Sequence, residues 1–426
     1  MISDRLALAF ARRNIHYGWV MVAATFLTAL LSAGAMGAPG VFILPLQKEF
    51  GWSTAEISGA LSLRLALYGL MGPFAAALMN RFGLRMIAAI ALTTVAVALT
   101  ISLMMTQLWQ LVLLWGLVVG IGTGLTALVL GATVATRWFN ARRGLVVGIL
   151  TASSATGQLV FLPILSGLSA SYGWRPALAV LCAVLIVAAF IVMLVMRDRP
   201  SDLGLRPFGD DGTQPIQAPP PPAGSIAMAA INALRDAAKT KVFWILFGTF
   251  FICGTSTNGL IQIHLIPMCA DYGIPEVQAA WLLAAIGIFD FIGTILSGWL
   301  SDRYDNRWLL FWYYGLRGLS LLFLPFTDFS LYGLSIFAVF YGLDWIATVP
   351  PTVRLTAAHF GAERANLVFG WIFAGHQLGA ATAAFGAGMS RTLLLTYLPA
   401  FFFAGALCIV AALAVLAMSR PQATTA

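Results

Sequence analysis

The chain has 426 residues, of which 60% are hydrophobic and only 9% charged, and its mean hydropathy is +0.89. A soluble globular chain carries about 25% charged residues, so this composition excludes one and leaves a polytopic membrane protein. The formal net charge of +8 does not signal nucleic acid, because the basic residues are scattered through short loops with no basic aromatic patch.

Taken in order, the sequence offers twelve apolar runs, each near the roughly 20 residues that a hydrocarbon core of about 30 Å requires. The first six run from Gly18 to Leu46, Thr54 to Met79, Met86 to Met105, Leu108 to Thr136, Gly144 to Ser169 and Pro176 to Met196. The second six run from Val242 to Met268, Val277 to Leu300, Trp308 to Phe326, Leu331 to Leu355, Leu367 to Met389 and Leu398 to Met418. Between them lies a polar break holding Asp210, Asp211, Gly212 and Pro219 to Pro222, a composition that makes a flexible, partly polyproline connector. A short helix from Ser225 to Ala237 is expected on the membrane surface. The sequence thus predicts an all-α integral membrane protein of twelve transmembrane helices. Residues 1–197 form one six-helix bundle, 198–241 a cytoplasmic linker, and 242–426 a second bundle.

Basic residues set the orientation. With the N-terminus inside, Arg12, Arg13, Arg81, Arg85, Arg142, Arg143, Arg303, Arg307, Arg354 and Arg364 fall on the cytoplasmic side, whereas Lys48, Arg175 and Arg391 stay outside. Both termini are therefore expected in the cytoplasm. The start of the chain has only a short apolar stretch before a full-length run, so the first span is expected to serve as the targeting signal. Cys182, Cys253, Cys269 and Cys408 stand singly, which offers neither a disulfide framework nor a spaced metal or redox motif.

The two halves repeat. Asn80-Arg81 matches Asp302-Arg303, Gly51 matches Gly273 and Gly157 matches Gly379, all at one offset. Parallel six-helix repeats joined by a long connector are the layout of a rocking secondary transporter with its site between the halves. The stretches GPFAAALMNRFGLR (Gly72 to Arg85), WFNARRGLVVGI (Trp138 to Ile149) and YGWRPAL (Tyr172 to Leu178) resemble those of the major facilitator superfamily. Within it the chain is most similar to the monocarboxylate porters. GLDWIATVPP (Gly342 to Pro351) and GWIFAGHQLGAA (Gly370 to Ala381) resemble a bacterial branch. The resemblance implies a monomeric carrier in a bacterial inner membrane, and gating turns at Asn80, Arg81, Asp302 and Arg303. Thr294 sits one helical turn after Asp290, where animal members of that family carry a substrate-pairing arginine, and the first span holds no lysine.

Titratable groups inside the spans are the functional candidates, since a carboxylate at the bilayer centre costs roughly 3 kcal/mol on insertion scales. Counting about 1.5 Å of rise per residue from the cytoplasmic ends, Asp290, Asp344 and His376 all lie about 17 to 18 Å deep. Burial disfavours the charged form of each group and a neighbouring charge opposes that, so such a trio can exchange a proton. Asp344, with His376 and Asp290, is the candidate for proton coupling. Arg317, at about 15 Å, is the competing explanation, as a structural strut for Asp290 or Asp344. Arg64, about 24 Å from Asn80, either grips an anionic substrate or snorkels to the outer interface. Asn258 and Gln262 share one helical face, and Asn258-Gly259 is expected to loosen the seventh span. Together with Tyr341, His376 and Gln377 they complete the candidate substrate contacts.

No Walker, HExxH or GxSxG sequence is present, so the parts for ATP hydrolysis or covalent catalysis are missing and no cofactor is expected. The expected function is proton-coupled uptake of a small organic anion. The competing readings are a proton-driven exporter of amphipathic compounds, an anion exchanger, and a transporter-like sensor.

Overall fold

The computed structural model describes residues 2–126, 128–210 and 226–419. Among them every regular element is helical, and the β content is one isolated bridge between Phe139 and Phe208. In chain order the long rods are α1 (Gly18–Phe50), α2 (Thr54–Phe82), α3 (Leu84–Ser102), α4 (Leu108–Trp138), α5 (Arg143–Tyr172) and α6 (Trp174–Val195). They continue as α7 (Lys241–Asp271), α8 (Glu276–Ser301), α9 (Asn306–Phe326), α10 (Leu331–Phe360), α11 (Ala362–Leu394) and α12 (Leu398–Leu416). Ten of these, all but α5 and α11, are by length and composition able to cross a membrane. Large apolar side chains such as Phe190, Ile295 and Leu413 stand exposed on the rods, as a surface solvated by lipid requires.

The rods begin and end where local chemistry dictates. Ser53 opens α2 with a capping box, its hydroxyl accepting from Glu56 N at 3.2 Å while the Glu56 carboxylate accepts from Ser53 N at 2.7 Å. Gly51 (φ 69) and Gly273 (φ 78), the matched pair of the sequence, both turn the chain in the left-handed region that favours glycine. The rods run past the apolar runs. α1 continues to Phe50 and α11 spans Ala362 to Leu394, because polar residues at the ends still bond in helical register.

Three rods are irregular. α4 contains a π-helical turn over Val112–Val118 and a break after Leu125, and α7 contains a π-helical turn over Thr255–Ile261. The second falls on the Asn258-Gly259 pair expected to loosen that helix. α10 breaks between Asp344 and Val349.

Both ends of the described chain gather at one face, where His16 Nε2 meets Arg206 O at 2.8 Å and Arg307 donates to Met418 O at 2.9 Å. This linker face also holds residues 197–210, which fold back on the first bundle. Asp198 Oδ1 accepts from Arg85 N at 2.9 Å, and Phe208 N donates to Trp138 O at 2.8 Å. The described part of the linker helix, Ile226–Ala237, packs on α2 and α11 and accepts at Ala230 O from Trp371 Nε1 at 2.8 Å. It is docked on protein rather than lying free on a surface. Asp211, Gly212, Pro219 to Pro222 and Ser225 lie outside the described residues.

The first and second groups of rods meet along α2 and α11, along α5 and α8, and where α1 lies on α7. Ala55 N donates to Thr392 Oγ1 at 3.0 Å at the far face, Ser62 Oγ donates to Ala381 O at 2.7 Å midway, and Phe74 packs edge-on to Trp371 toward the linker face. Within the second group, glycines let backbones touch. A Cβ on Gly254 of α7 would stand 1.8 Å from His376 O of α11, and one on Gly293 of α8 would stand 1.8 Å from Leu343 O of α10. A Cβ at Gly298, one turn and a half later on α8, would meet nothing within 4 Å.

Gly293→Ala is therefore expected to force α8 and α10 apart, at the roughly 1 to 3 kcal/mol of an overpacked core or more, while Gly298→Ala leaves stability unchanged. Thermal unfolding of the two purified variants followed by size-exclusion chromatography checks this. An equal midpoint for both would remove the seam as a constraint.

Candidate functional site

The site begins with two prolines. Pro350 and Pro351 have no N–H, so the carbonyls of Ile346 and Ala347 lose their helical donors and α10 breaks. A freed backbone group has no water to turn to inside a bilayer and must be satisfied by the protein. Neighbouring rods do this. Ser297 Oγ of α8 donates to Ala347 O at 2.5 Å, and Ile346 O accepts from Val349 N at 2.8 Å. Ile346 N donates to Asp290 Oδ1 at 2.9 Å, and Thr294 Oγ1 donates to the same oxygen at 3.0 Å.

Arg317 of α9 closes the break from the other side. Its Nε donates to Asp344 Oδ2 at 2.6 Å, and its Nη2 donates to Asp344 O and, at 3.1 Å, to Trp345 O. Its Nη1 points to Cys253 Sγ at 2.9 Å, and that sulfur is 3.3 Å from Thr348 Oγ1. His376 approaches the same thiol. Arg317 is 1% exposed, Asp290 4% and Asp344 7%, so the two carboxylates and the guanidinium form one dry cluster. Asp344 Oδ1 has no hydrogen-bond partner among the described residues.

This arrangement decides between the two acids. Arg317 takes Asp344 as its partner, whereas Asp290 is held by a backbone N–H and a threonine. The long Arg317 side chain reaches from α9 inward between α7 and α10. Thr294 has a clear part as the donor that orients Asp290.

The other sequence candidates fall around this cluster or away from it. His376 is buried between the rings of Phe250 and Phe373, with centroids 4.9 and 5.8 Å away, and its Nδ1 has no partner among the described residues. Gln377 is 1% exposed with Oε1 likewise unpartnered, and Gly69 of α2 lies against its Cβ. Tyr341 OH donates to Ser256 O in the π turn of α7 at 2.5 Å. Gln262 is buried and Asn258 half-buried on the same rod.

Arg64 points elsewhere. It is 1% exposed, so it does not snorkel, and it donates to Ala35 O at 3.3 Å and Met36 O at 3.0 Å inside the first bundle. Asp302 pairs with Arg354 of α10, Arg303 stacks over Trp299 at 4.1 Å, and Arg81 lies 5.5 Å from the Phe82 ring centroid. The Asn80 side chain lies outside what the structure describes.

Two buried groups escape a reading of the sequence. Cys253 stands alone in an apolar run and gives no signal of its arginine. His264 bonds Ala384 O at 2.8 Å through Nε2 and packs on Tyr397, with Nδ1 unpartnered among the described residues. Beyond it a cleft of about 160 Å³ opens on the far face, where Arg391 and Asp271 form a bidentate pair at 2.8 and 2.9 Å.

Membrane-length rods packed around buried ions at helix breaks define a multi-pass integral membrane transporter. The chain belongs to the Major Facilitator Superfamily, whose family model matches residues 25–381 and 263–426. It is 23% identical to the uncharacterized MFS-type transporter YcxA of Bacillus subtilis (strain 168), with 89% of each chain covered. It is 26% identical to monocarboxylate transporter 13 of Rattus norvegicus, over 92% of this chain and 86% of that one. Its fold is similar to a bacterial homolog of the human lysosomal transporter Spinster, with a TM-score of 0.69 at 16% identity over 94% of this chain and 95% of that chain.

Removing one member of the buried pair should be far worse than removing both. Arg317→Met leaves Asp344 uncompensated and two carbonyls bare, at about 3 to 5 kcal/mol. The double variant Arg317→Met with Asp344→Leu removes the stranded charge and is expected to recover a large part of that loss. Thermal midpoints of the purified variants measure the coupling, and simple additivity of the two single losses would contradict it.

Proposed function

We propose that this protein is a secondary active transporter that takes up a small monocarboxylate-like organic anion together with a proton. The observation that supports the reading is that two buried carboxylates, Asp290 and Asp344, lie in one cluster with a single cation, Arg317, which is bonded to Asp344 while Asp290 is held by Ile346 N and Thr294. With both acids ionised the trio holds one negative charge in excess, and one proton makes it neutral. A dry layer that changes access by rocking favours the neutral form, since moving uncompensated charge through low dielectric is costly.

In this reading all twelve rods span the membrane as two six-helix halves, α1 to α6 and α7 to α12. The halves move about the α2–α11 seam, with the linker face and both termini in the cytoplasm of a bacterial inner membrane. Protonation of Asp344 loosens its bond to Arg317 and frees the guanidinium fork to take a substrate carboxylate, a geometry that arginine suits. Asp290, to which no arginine is bonded, is the store from which Asp344 takes that proton. Gln262, Tyr341, His376 and Gln377 surround this layer and supply neutral polar contacts, with Asn258 on the loosened turn of α7. The carrier acts as a monomer and uses no cofactor. The names of the monocarboxylate relatives support the substrate class.

Proteoliposome uptake across a panel of labelled carboxylates, with and without an inward proton gradient, tests this. Asp290→Asn keeps an oxygen to accept from Ile346 N but cannot cycle a proton. It is expected to retain counterflow exchange while losing accumulation driven by the gradient. Full accumulation by Asp290→Asn and by Asp344→Asn would end the coupling assignment. A silent panel with dye efflux would point instead to the exporter.

A further inference from the structure

Arg64 is a buried cation with no acid bonded to it among the described residues. An uncompensated charge in a membrane interior demands a reason, and substrate binding does not supply one here. Ser62 and Gly69 face α11 across the seam, and at 3.6 residues per turn Arg64 lies roughly on the opposite side of α2 from Ser62. The void beside the guanidinium measures about 10 Å³ and is lined by apolar groups from α1, α3, α4 and α6, including Ala38, Leu99, Trp115 and Leu181. That volume admits about one water and no carboxylate.

The reason lies in α1. Pro39 cannot donate to the carbonyl four residues back, which is Ala35 O, and its ring crowds that carbonyl. Arg64 Nη1 donates to Ala35 O at 3.3 Å, and Nη2 donates to the next carbonyl of the distorted turn, Met36 O, at 3.0 Å. Gly40 follows directly after Pro39, and a Cβ there would stand 2.8 Å from Gln262 O and 3.3 Å from Ile263 O of α7. The α1 backbone is thereby laid on α7 beside the proposed substrate layer. On the other flank Gly120 of α4 would place a Cβ 3.0 Å from Arg64 Cα, so the arginine has little freedom to move.

We infer that Arg64 is a positioning residue that takes the carbonyl stripped by Pro39 and so fixes the bend that seats α1 on α7 at Gln262. It acts on transport through the path of α1 and does not touch the solute. This inference rests on the transporter reading only for its effect on uptake, since the bond between Arg64 and the bend stands on geometry alone.

A double-variant cycle tests it. Arg64→Met should lower the thermal midpoint of the purified protein and cut the maximal uptake rate roughly tenfold, the worth of one charge-assisted hydrogen bond, with KM unchanged. Adding Pro39→Ala returns a backbone N–H opposite Ala35 O, so the double variant should regain most of the midpoint and the rate. A residue needed only as a solute ligand, or only as bulk, is not rescued by a change at Pro39. If Arg64→Met does not fold, Arg64→Lys with and without Pro39→Ala runs the same cycle, because lysine reaches one carbonyl at most. The inference is overturned if Pro39→Ala rescues neither background, or if Arg64→Met raises KM while midpoint and maximal rate stay at the parent values. If the parent protein moves no carboxylate, the transport reading fails while the unfolding cycle still decides the clamp.

Discussion

The second half of this protein depends on one arrangement, the Arg317 guanidinium set against the broken helix α10. Pro350 and Pro351 break α10 and leave the backbone groups around the break to be satisfied in a place without water. Every side chain that answers is polar or charged, namely Ser297, Asp290 and Arg317. Arg317 brings a positive charge, and a buried cation calls for an anion, which Asp344 supplies at 2.6 Å. The buried acids are thus tied to the break rather than added to it. In the proton-coupled reading proposed above, a change in their protonation would act directly on α10.

The first half meets the same difficulty with different chemistry. Pro39 frees a carbonyl in α1, and an arginine again answers, but no carboxylate accompanies it. The halves are therefore electrostatically unequal. One carries a fixed cation bonded to carbonyls, and the other carries two acids around a single cation. Among the described residues the buried acids, Asp290 and Asp344, both belong to the second group, although the two groups share turns at Gly51 and Gly273.

Much of the fold is legible in the sequence because hydropathy and length speak directly to it. Each long rod coincides with an apolar run, and the π turn in α7 falls on Asn258-Gly259. The site is legible in depth but not in azimuth. Helical rise places Asp290, Asp344, His376 and Arg317 at one level, whereas which acid meets Arg317 depends on how α9 rotates and how far its side chain reaches. Arg64 shows the same gap. Its position in α2 is plain, yet its direction follows from Gly120, Gly69 and Pro39 on three different rods, none adjacent to it in sequence. The π turn of α4 leaves no mark in a run of Val, Leu, Trp and Gly, because it reflects packing against α2 rather than any local breaker.

The linker bears on how such a machine can move. Residues 197–210 are bonded to the first bundle through Asp198 and Phe208, so that part of the connector travels with that half. The helix Ile226–Ala237 touches both α2 and α11 and accepts a hydrogen bond from Trp371 at Ala230. It therefore lies across the seam that rocking must open at the linker face. Arg364 of α11 comes within 3.9 Å of Asp236 near the end of this helix, and Lys239 pairs with Asp236 inside the linker segment itself. Asp236 is exposed, and the Lys239 ammonium bonded to it holds its carboxyl below the usual range. In the proposed rocking, residues 197–210 would move with the first group of rods, and the helix Ile226–Ala237 would have to leave α2 or α11 for the linker face to open.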